Sequence, residues 1–227
     1  MRGFFNLNSP LMQFLSKVFD CIVLNILTIL CSVPIITLGA ATAGMYYAIG
    51  RQRRNEGSSV VKDFFHGFAS NFRQATGMWL ILLPVGVLIV FSMLCAFSLG
   101  GGFTVMGVIA AVCFVVYMMV FTWAYPLLTR FDNTVLRTIR NAFLCAITHP
   151  LSSLLTVIAQ LIPFGLLMLS TGLFAQASIY ILVIWYAMIG HYVMWLFRKP
   201  FAKLEEMSQR GADPTEAEEE VISDECE

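Results

Sequence analysis

The sequence predicts an all-α fold: a polytopic transmembrane helix bundle of about five spans, the first kinked or broken at Pro34. Three observations predict it. Residues 21–50, 74–129 and 141–197 contain no Asp, Glu, Lys or Arg. A spanning helix needs roughly 20 mostly apolar residues, so these stretches have room for one, two and two spans. The composition agrees, with 58% hydrophobic and 12% charged residues and a mean hydropathy of +0.77, where soluble domains carry about 25% charge. Finally, no polar face recurs at helical or strand spacing inside the apolar runs, as the surface of a soluble domain requires.

The formal net charge of zero conceals a partition. Up to Leu204 there are 13 Lys and Arg against four acids (Asp20, Glu56, Asp63, Asp132), and after it only Arg210 against ten acids. A basic membrane domain, 1–204, is therefore followed by an acidic tail, 205–227, with too few apolar residues to order itself.

In chain order, Ser9-Pro10 is a good helix start, since Ser caps and Pro suits the first helical position. Leu11, Phe14, Leu15 and Val18 share one face and Gln13, Ser16, Lys17 and Asp20 the other, which predicts an interfacial helix over 9–20. Span 1 covers about 21–48, roughly 40 Å of helix. Pro34 lies inside it and removes a hydrogen-bond donor. Just beyond, Thr37 is followed by Gly39, Ala40, Ala43 and Gly44, two small-xxx-small pairs that let a neighbouring helix approach closely. Lys17, an apolar run and Ala41-Thr42-Ala43 outline a signal peptide, but that run is longer than the usual 7–15 residues and contains Pro34. The segment is kept as a span.

The loop 51–73 carries Arg51, Arg53, Arg54, Lys62 and Arg73, with Phe64, Phe65, Phe68 and Phe72 at helical spacing. An aromatic stripe beside cations predicts a second interfacial helix over 59–74, a surface for docking or lipid contact. The same stripe would equally serve to pack a loop helix on the bundle. Spans 2 and 3 cover about 77–99 and 105–127, joined by Gly100-Gly101-Gly102. A basic loop with Arg130, Arg137 and Arg140 follows, in which Asp132 or Asn133 suits a helix cap. Spans 4 and 5 cover about 151–170 and 177–197, joined near Thr171-Gly172, and Arg198, Lys199 and Lys203 close the bundle. Cations mark cytoplasmic loops, which places the C-terminus inside and, with five spans, the N-terminus outside. If Pro34 instead makes span 1 a re-entrant hairpin, the N-terminus returns to the cytoplasm.

No acidic or basic residue lies within the predicted spans, so the usual mark of ion or proton coupling is missing. The polar contacts there are few, with Asn25, Gln160 and His191 the principal candidates, and such residues mostly join helices by hydrogen bonds. His191 could titrate near neutrality. Six cysteines show no C-x-x-C pair or metal-ligand spacing. There is no phosphate-binding loop, zinc helix or nucleophile elbow, and no basic surface patterned for nucleic acid. The expectation is a protein without cofactor or metal that is not an enzyme.

Several passages together resemble the YesL-like family of bacterial membrane proteins: Leu24-Asn25; Pro34-Ile35-Ile36-Thr37-Leu38-Gly39-Ala40; Arg54-Asn55-Glu56-Gly57; Asp63-Phe64-Phe65 through Phe68, Asn71-Phe72 and Gln74-Ala75; and Tyr125-Pro126-Leu127-Leu128-Thr129-Arg130-Phe131, followed by the helix through Asn141-Ala142. The resemblance implies a multi-pass protein of the bacterial plasma membrane, encoded near carbohydrate uptake systems and without established catalytic residues. The first expectation is therefore a non-enzymatic accessory component of carbohydrate uptake or its regulation, partnered with the lipid bilayer and with a carbohydrate ABC transporter or other membrane proteins. The alternative is a small-solute or sugar permease in its own right, with Pro34, Thr37, Gly39 and Gly44 at a helix break. Five spans are few for a monomeric carrier, so that alternative implies a homo-oligomer. A true sugar-importer permease subunit would carry a Glu-Ala-Ala loop to dock its ATPase, and this sequence has none.

Overall fold

A computed structural model describes residues 10–54, 56, 57, 59–131, 133–169, 186–198 and 200–202. It is helical, and no strand occurs among the described residues. The elements are α1 (Pro10–Cys31), α2 (Leu38–Arg53), α3 (Val60–Leu99), α4 (Thr104–Arg130), α5 (Val135–Thr148) and α6 (Pro150–Leu169). Short 3-10 turns, Ile35–Thr37 and Gly101–Phe103, precede α2 and α4. A further helical stretch covers 186–196. The turn at Thr171-Gly172, the first half of span 5 and the acidic tail lie outside the described residues.

Of the two forms expected for span 1, kinked or broken at Pro34, the helix is broken. Pro34 has no N–H and forbids helical geometry to its predecessor, so α1 ends at Cys31 and α2 starts only at Leu38. The two then run antiparallel. At the closed end the Thr37 hydroxyl donates to the Cys31 carbonyl at 2.6 Å. At the open end Gln52 Nε2 donates to Asp20 Oδ2, also at 2.6 Å. At 1.5 Å per residue the arms from Asp20 to Cys31 and from Leu38 to Gln52 are about 17 and 21 Å long, well short of a ~30 Å hydrocarbon core. The result is a helical hairpin with its tip at residues 32–37.

Among the described residues, two helices are long and apolar enough to cross a membrane: Val60–Leu99 and the Gly101–Arg130 stretch that contains α4. The bent pair α5 and α6, which meet at 103°, makes a third if counted as one span. The segment expected as a separate interfacial helix over 59–74 is instead the first part of α3, in register with span 2. Neither Gly77 nor Pro84 interrupts it. Gly100 and Gly101 have φ of 64° and 58°, left-handed values that glycine adopts without strain, and they reverse the chain into α4.

The α3–α4 pair divides into two halves. Beyond about residue 80 of α3 and before about residue 119 of α4, side chains such as Leu88, Phe91, Leu94, Val105, Ile109 and Val112 are exposed. Twenty residues of helix are about 30 Å long, one hydrocarbon thickness. The other halves are buried among α2, α5 and 186–201, with Ala41, Met45, Ile49, Phe64, Met78, Trp123, Tyr125 and Phe197 at the centre. Arg51 and Arg53 in the last turn of α2, Asp63 in the first turn of α3 and Arg130 in the last turn of α4 each complement a helix dipole.

Candidate functional site

The residues singled out from sequence converge on the α1–α2 hairpin. At its tip Pro34 leads the 3-10 turn, and the Thr37 hydroxyl also meets the Pro34 carbonyl at 2.8 Å. Trp79 of α3 reaches across and donates from Nε1 to the Ile35 carbonyl at 2.8 Å. That oxygen also accepts the Leu38 backbone N–H, so the indole adds a second bond that ties the tip of the hairpin to α3. The small residues of α2 then let it lie directly on α3. A Cβ placed on Gly39 would sit 2.5 Å from the Ala75 carbonyl oxygen and 2.6 Å from Trp79 Cβ. One on Gly44 would sit 2.9 Å from the Phe64 carbonyl oxygen, and Gly67 of α3 leaves room for Tyr47 in the same way. The run from Gly39 to Met45 is wholly buried.

Polar residues tie the 186–196 helix to the hairpin. Asn25, fully buried on α1, accepts the Ala187 backbone N–H through Oδ1 at 2.9 Å. Thr42 of α2 and the Tyr186 hydroxyl share a hydrogen bond at 3.1 Å. Lower down, Gln52 is the hinge of a short chain. Its Nε2 is committed to the Asp20 carboxylate, so its Oε1 faces His191 Nε2 as acceptor at 3.2 Å. His191 Nδ1 lies 3.1 Å from the Ala187 carbonyl and 3.8 Å from Cys21 Sγ. Each ring nitrogen thus faces a possible partner, and whichever of them carries the proton the ring links α1, α2 and the 186–196 helix. Arg53 closes the group by donating from Nη1 to the His191 carbonyl at 3.1 Å. Gln160 stands apart and bonds Thr122 of α4 through Nε2 at 2.9 Å.

The basic and aromatic residues of 51–73 separate by role. Arg51 pairs with Asp63 at 3.2 Å and donates to the Glu56 carbonyl at 2.8 Å, pinning the loop before α3. Arg54 pairs with Glu56 at 3.1 Å. Phe64 is buried in the core and Phe68 is half-buried, while Phe65 and Phe72 are exposed. Any docking or lipid-contact surface on this stretch consists of Phe65 and Phe72 with the neighbouring cations.

Sequence patterning alone did not bring forward Asp20, Gln52 and Asp63. Together with Phe19, Val23, Gly57, Ser59, Val60 and Val61 they line a cleft of about 540 Å³ at the open end of the hairpin. Burial pushes the Asp20 carboxyl above its usual range, opposed by the Gln52 amide and the His191 charge. Their one sequence signal is position: Asp20 is the last acid before the first charge-free run and Asp63 the last before the second. Among the described residues no group of three or more His, Cys, Asp or Glu could hold a metal ion.

A family described as "Protein of unknown function, DUF624" matches residues 21–93, from the descending arm of the hairpin through most of α3. No curated protein and no solved structure matches the chain.

Proposed function

We propose that this chain is a multi-pass protein of the bacterial plasma membrane and a non-enzymatic accessory component of carbohydrate uptake or its regulation. The observation that carries this over a permease is the close seating of α2 on α3. A pathway along the broken first span would need Gly39, Gly44 and their neighbours to face a cavity, yet they are buried against Ala75, Trp79 and Phe64. Asn25, Gln160 and His191, the polar contacts a pathway would use, are engaged in helix-to-helix hydrogen bonds. The carbohydrate assignment rests on the resemblance to the YesL-like family, with which the match over 21–93 is consistent. Purification of the tagged full chain in mild detergent is expected to recover components of a carbohydrate transporter. Recovery of background alone, together with sugar uptake by liposomes holding only this protein, would replace the accessory role with the permease.

The hairpin also sets the topology we propose. Residue 20 stands beside residue 52, so the N-terminal arm lies on the same side as the Arg51–Arg54 cluster. By the excess of cations that side is cytoplasmic. Four crossings then remain, through α3, α4, α6 and the segment ending near 197, and both termini are inside. In a background with the native cysteines replaced, Ser16→Cys and Gly57→Cys are expected to react with an impermeant thiol reagent only after the cells are opened. Gly101→Cys is expected to react in intact cells. Labelling of Ser16→Cys from outside would restore a full first crossing.

A further inference from the structure

α5 carries a surface that the hairpin does not involve. At 100° per residue Leu136, Arg140, Phe143 and Ile147 fall within an arc of about 60°, with Arg137 on its shoulder. Leu136 is 72% exposed, Phe143 44% and Ile147 56%, and both arginines are exposed. The opposite face, with Thr138, Asn141, Ala142, Cys145 and Ala146, is buried. The outward face of an amphipathic helix in water would be polar. Here the polar positions face in and the outward face combines apolar side chains with two guanidinium groups.

The setting says what covers it. α5 meets α6 at 103°, and α6 exposes Leu151, Leu155, Ile158 and Ile162 along one stripe. The apolar surface of α5 therefore runs on from Ile147 to that of an apolar helix standing almost at right angles to it. If α6 follows the membrane normal, α5 lies in the plane of the interface. Leu136, Phe143 and Ile147 then meet acyl chains, while Arg137 and Arg140 reach the headgroup phosphates. Arginine suits that contact because its fork of donors matches phosphate oxygens two at a time.

We propose that the outward face of α5 binds the headgroup of an acidic phospholipid, with Arg137 and Arg140 as the phosphate contacts and Leu136, Phe143 and Ile147 as the anchor in the acyl region. The full chain in nanodiscs, with a fluorophore on Phe143→Cys in a background lacking the native cysteines, is expected to be quenched by spin-labelled lipid; an unquenched probe overturns the proposal. Native mass spectrometry of protein extracted from bilayers containing acidic phospholipid is expected to show retained lipid. Arg137→Gln with Arg140→Gln is expected to weaken retention about 30-fold, from roughly fivefold per cation near a charged surface, with unfolding in purely zwitterionic nanodiscs unchanged. Arg137→Lys with Arg140→Lys, which keeps the charge, is expected to retain the lipid better than the Gln pair. Equal retention by wild type and the Gln pair overturns the proposal. So does displacement of the lipid by inorganic phosphate, which would identify a free-anion site instead.

Discussion

Gly39→Val is expected to unseat α2 from α3 and cost about 3 kcal/mol of bundle stability, at the upper end of overpacking penalties. The obstacle is largely backbone. The new Cβ would press on the Ala75 carbonyl oxygen at 2.5 Å and on Trp79 Cβ at 2.6 Å, atoms that no rotamer change can move. Relief requires a shift of α2, and α2 is also held by Gly44 on Phe64 and by Tyr47 in the space over Gly67. A shift would stretch the Trp79 bond to Ile35 at the hairpin tip, so the tip should loosen with the interface. In mixed-micelle denaturation the variant should unfold at clearly lower denaturant fraction than wild type. Gly77→Ala is the matched control. Its Cβ meets nothing closer than Val135 Cγ2 at 4.0 Å, and alanine gains up to about 1 kcal/mol of helix propensity. If Gly39→Val unfolds like wild type, close packing does not hold the hairpin.

This dependence on close approach is what membrane packing leads one to expect. Lipid tails are as apolar as the side chains they meet, so helices gain little by merely hiding hydrophobic surface. Association instead comes from contact area and from hydrogen bonds between helices, and the hairpin uses both. Small residues bring backbones together along α2 and α3, while Asn25, Thr42, Gln52 and His191 join α1, α2 and 186–196. Such a cluster is suited to hold a fixed shape at the open end of the hairpin.

The helical class was legible because charge is excluded from hydrocarbon whatever the tertiary structure, and the α3–α4 reversal because Gly100 to Gly102 has no competing explanation. The direction of the first apolar run was not. A kinked crossing and a hairpin share the same Pro34 and the same small residues. What separates them is the pairing of Asp20 with Gln52, a contact between positions 32 apart that leaves no periodic trace. The stretch 59–74 misled for a related reason. Its aromatic stripe and cations resemble an interfacial helix, yet no proline or cap separates it from span 2, so the helix simply continues. Phe64 and Phe65 illustrate the limit of composition: adjacent and chemically identical, one is buried and the other exposed, because only Phe64 lies on the face of α3 that packs into the core. In α5 the cap expected at Asp132 or Asn133 falls at Thr134, within the usual uncertainty of a helix end.

Trp123→Ala is expected to be the most damaging single truncation in the described chain, at about 3 kcal/mol or more, the range for a fully buried large aromatic. Trp123 lies on α4, yet its neighbours come from everywhere else at that end. Phe197 stacks on its ring at 3.5 Å between centroids and 9° between planes, and Phe201 meets it edge-on at 5.9 Å. His149, at the elbow between α5 and α6, stacks at 6.0 Å. Its Nε1 donates to the Ser153 hydroxyl at 2.8 Å, and Ser153 in turn donates to the His149 carbonyl at 2.8 Å. One indole therefore fixes the start of α6, the 103° elbow and the closing segment 197–201. Removing it leaves a cavity and frees three elements together. Equilibrium unfolding should fall by the full amount, and trypsin should cut after Arg198 markedly faster than in wild type. Trp123→Phe separates the contributions: it keeps the stack on Phe197 and loses the Ser153 bond, a change of about 1 kcal/mol. Should Trp123→Phe prove as costly as Trp123→Ala, the hydrogen bond rather than the ring stack would be what holds this end of the bundle together.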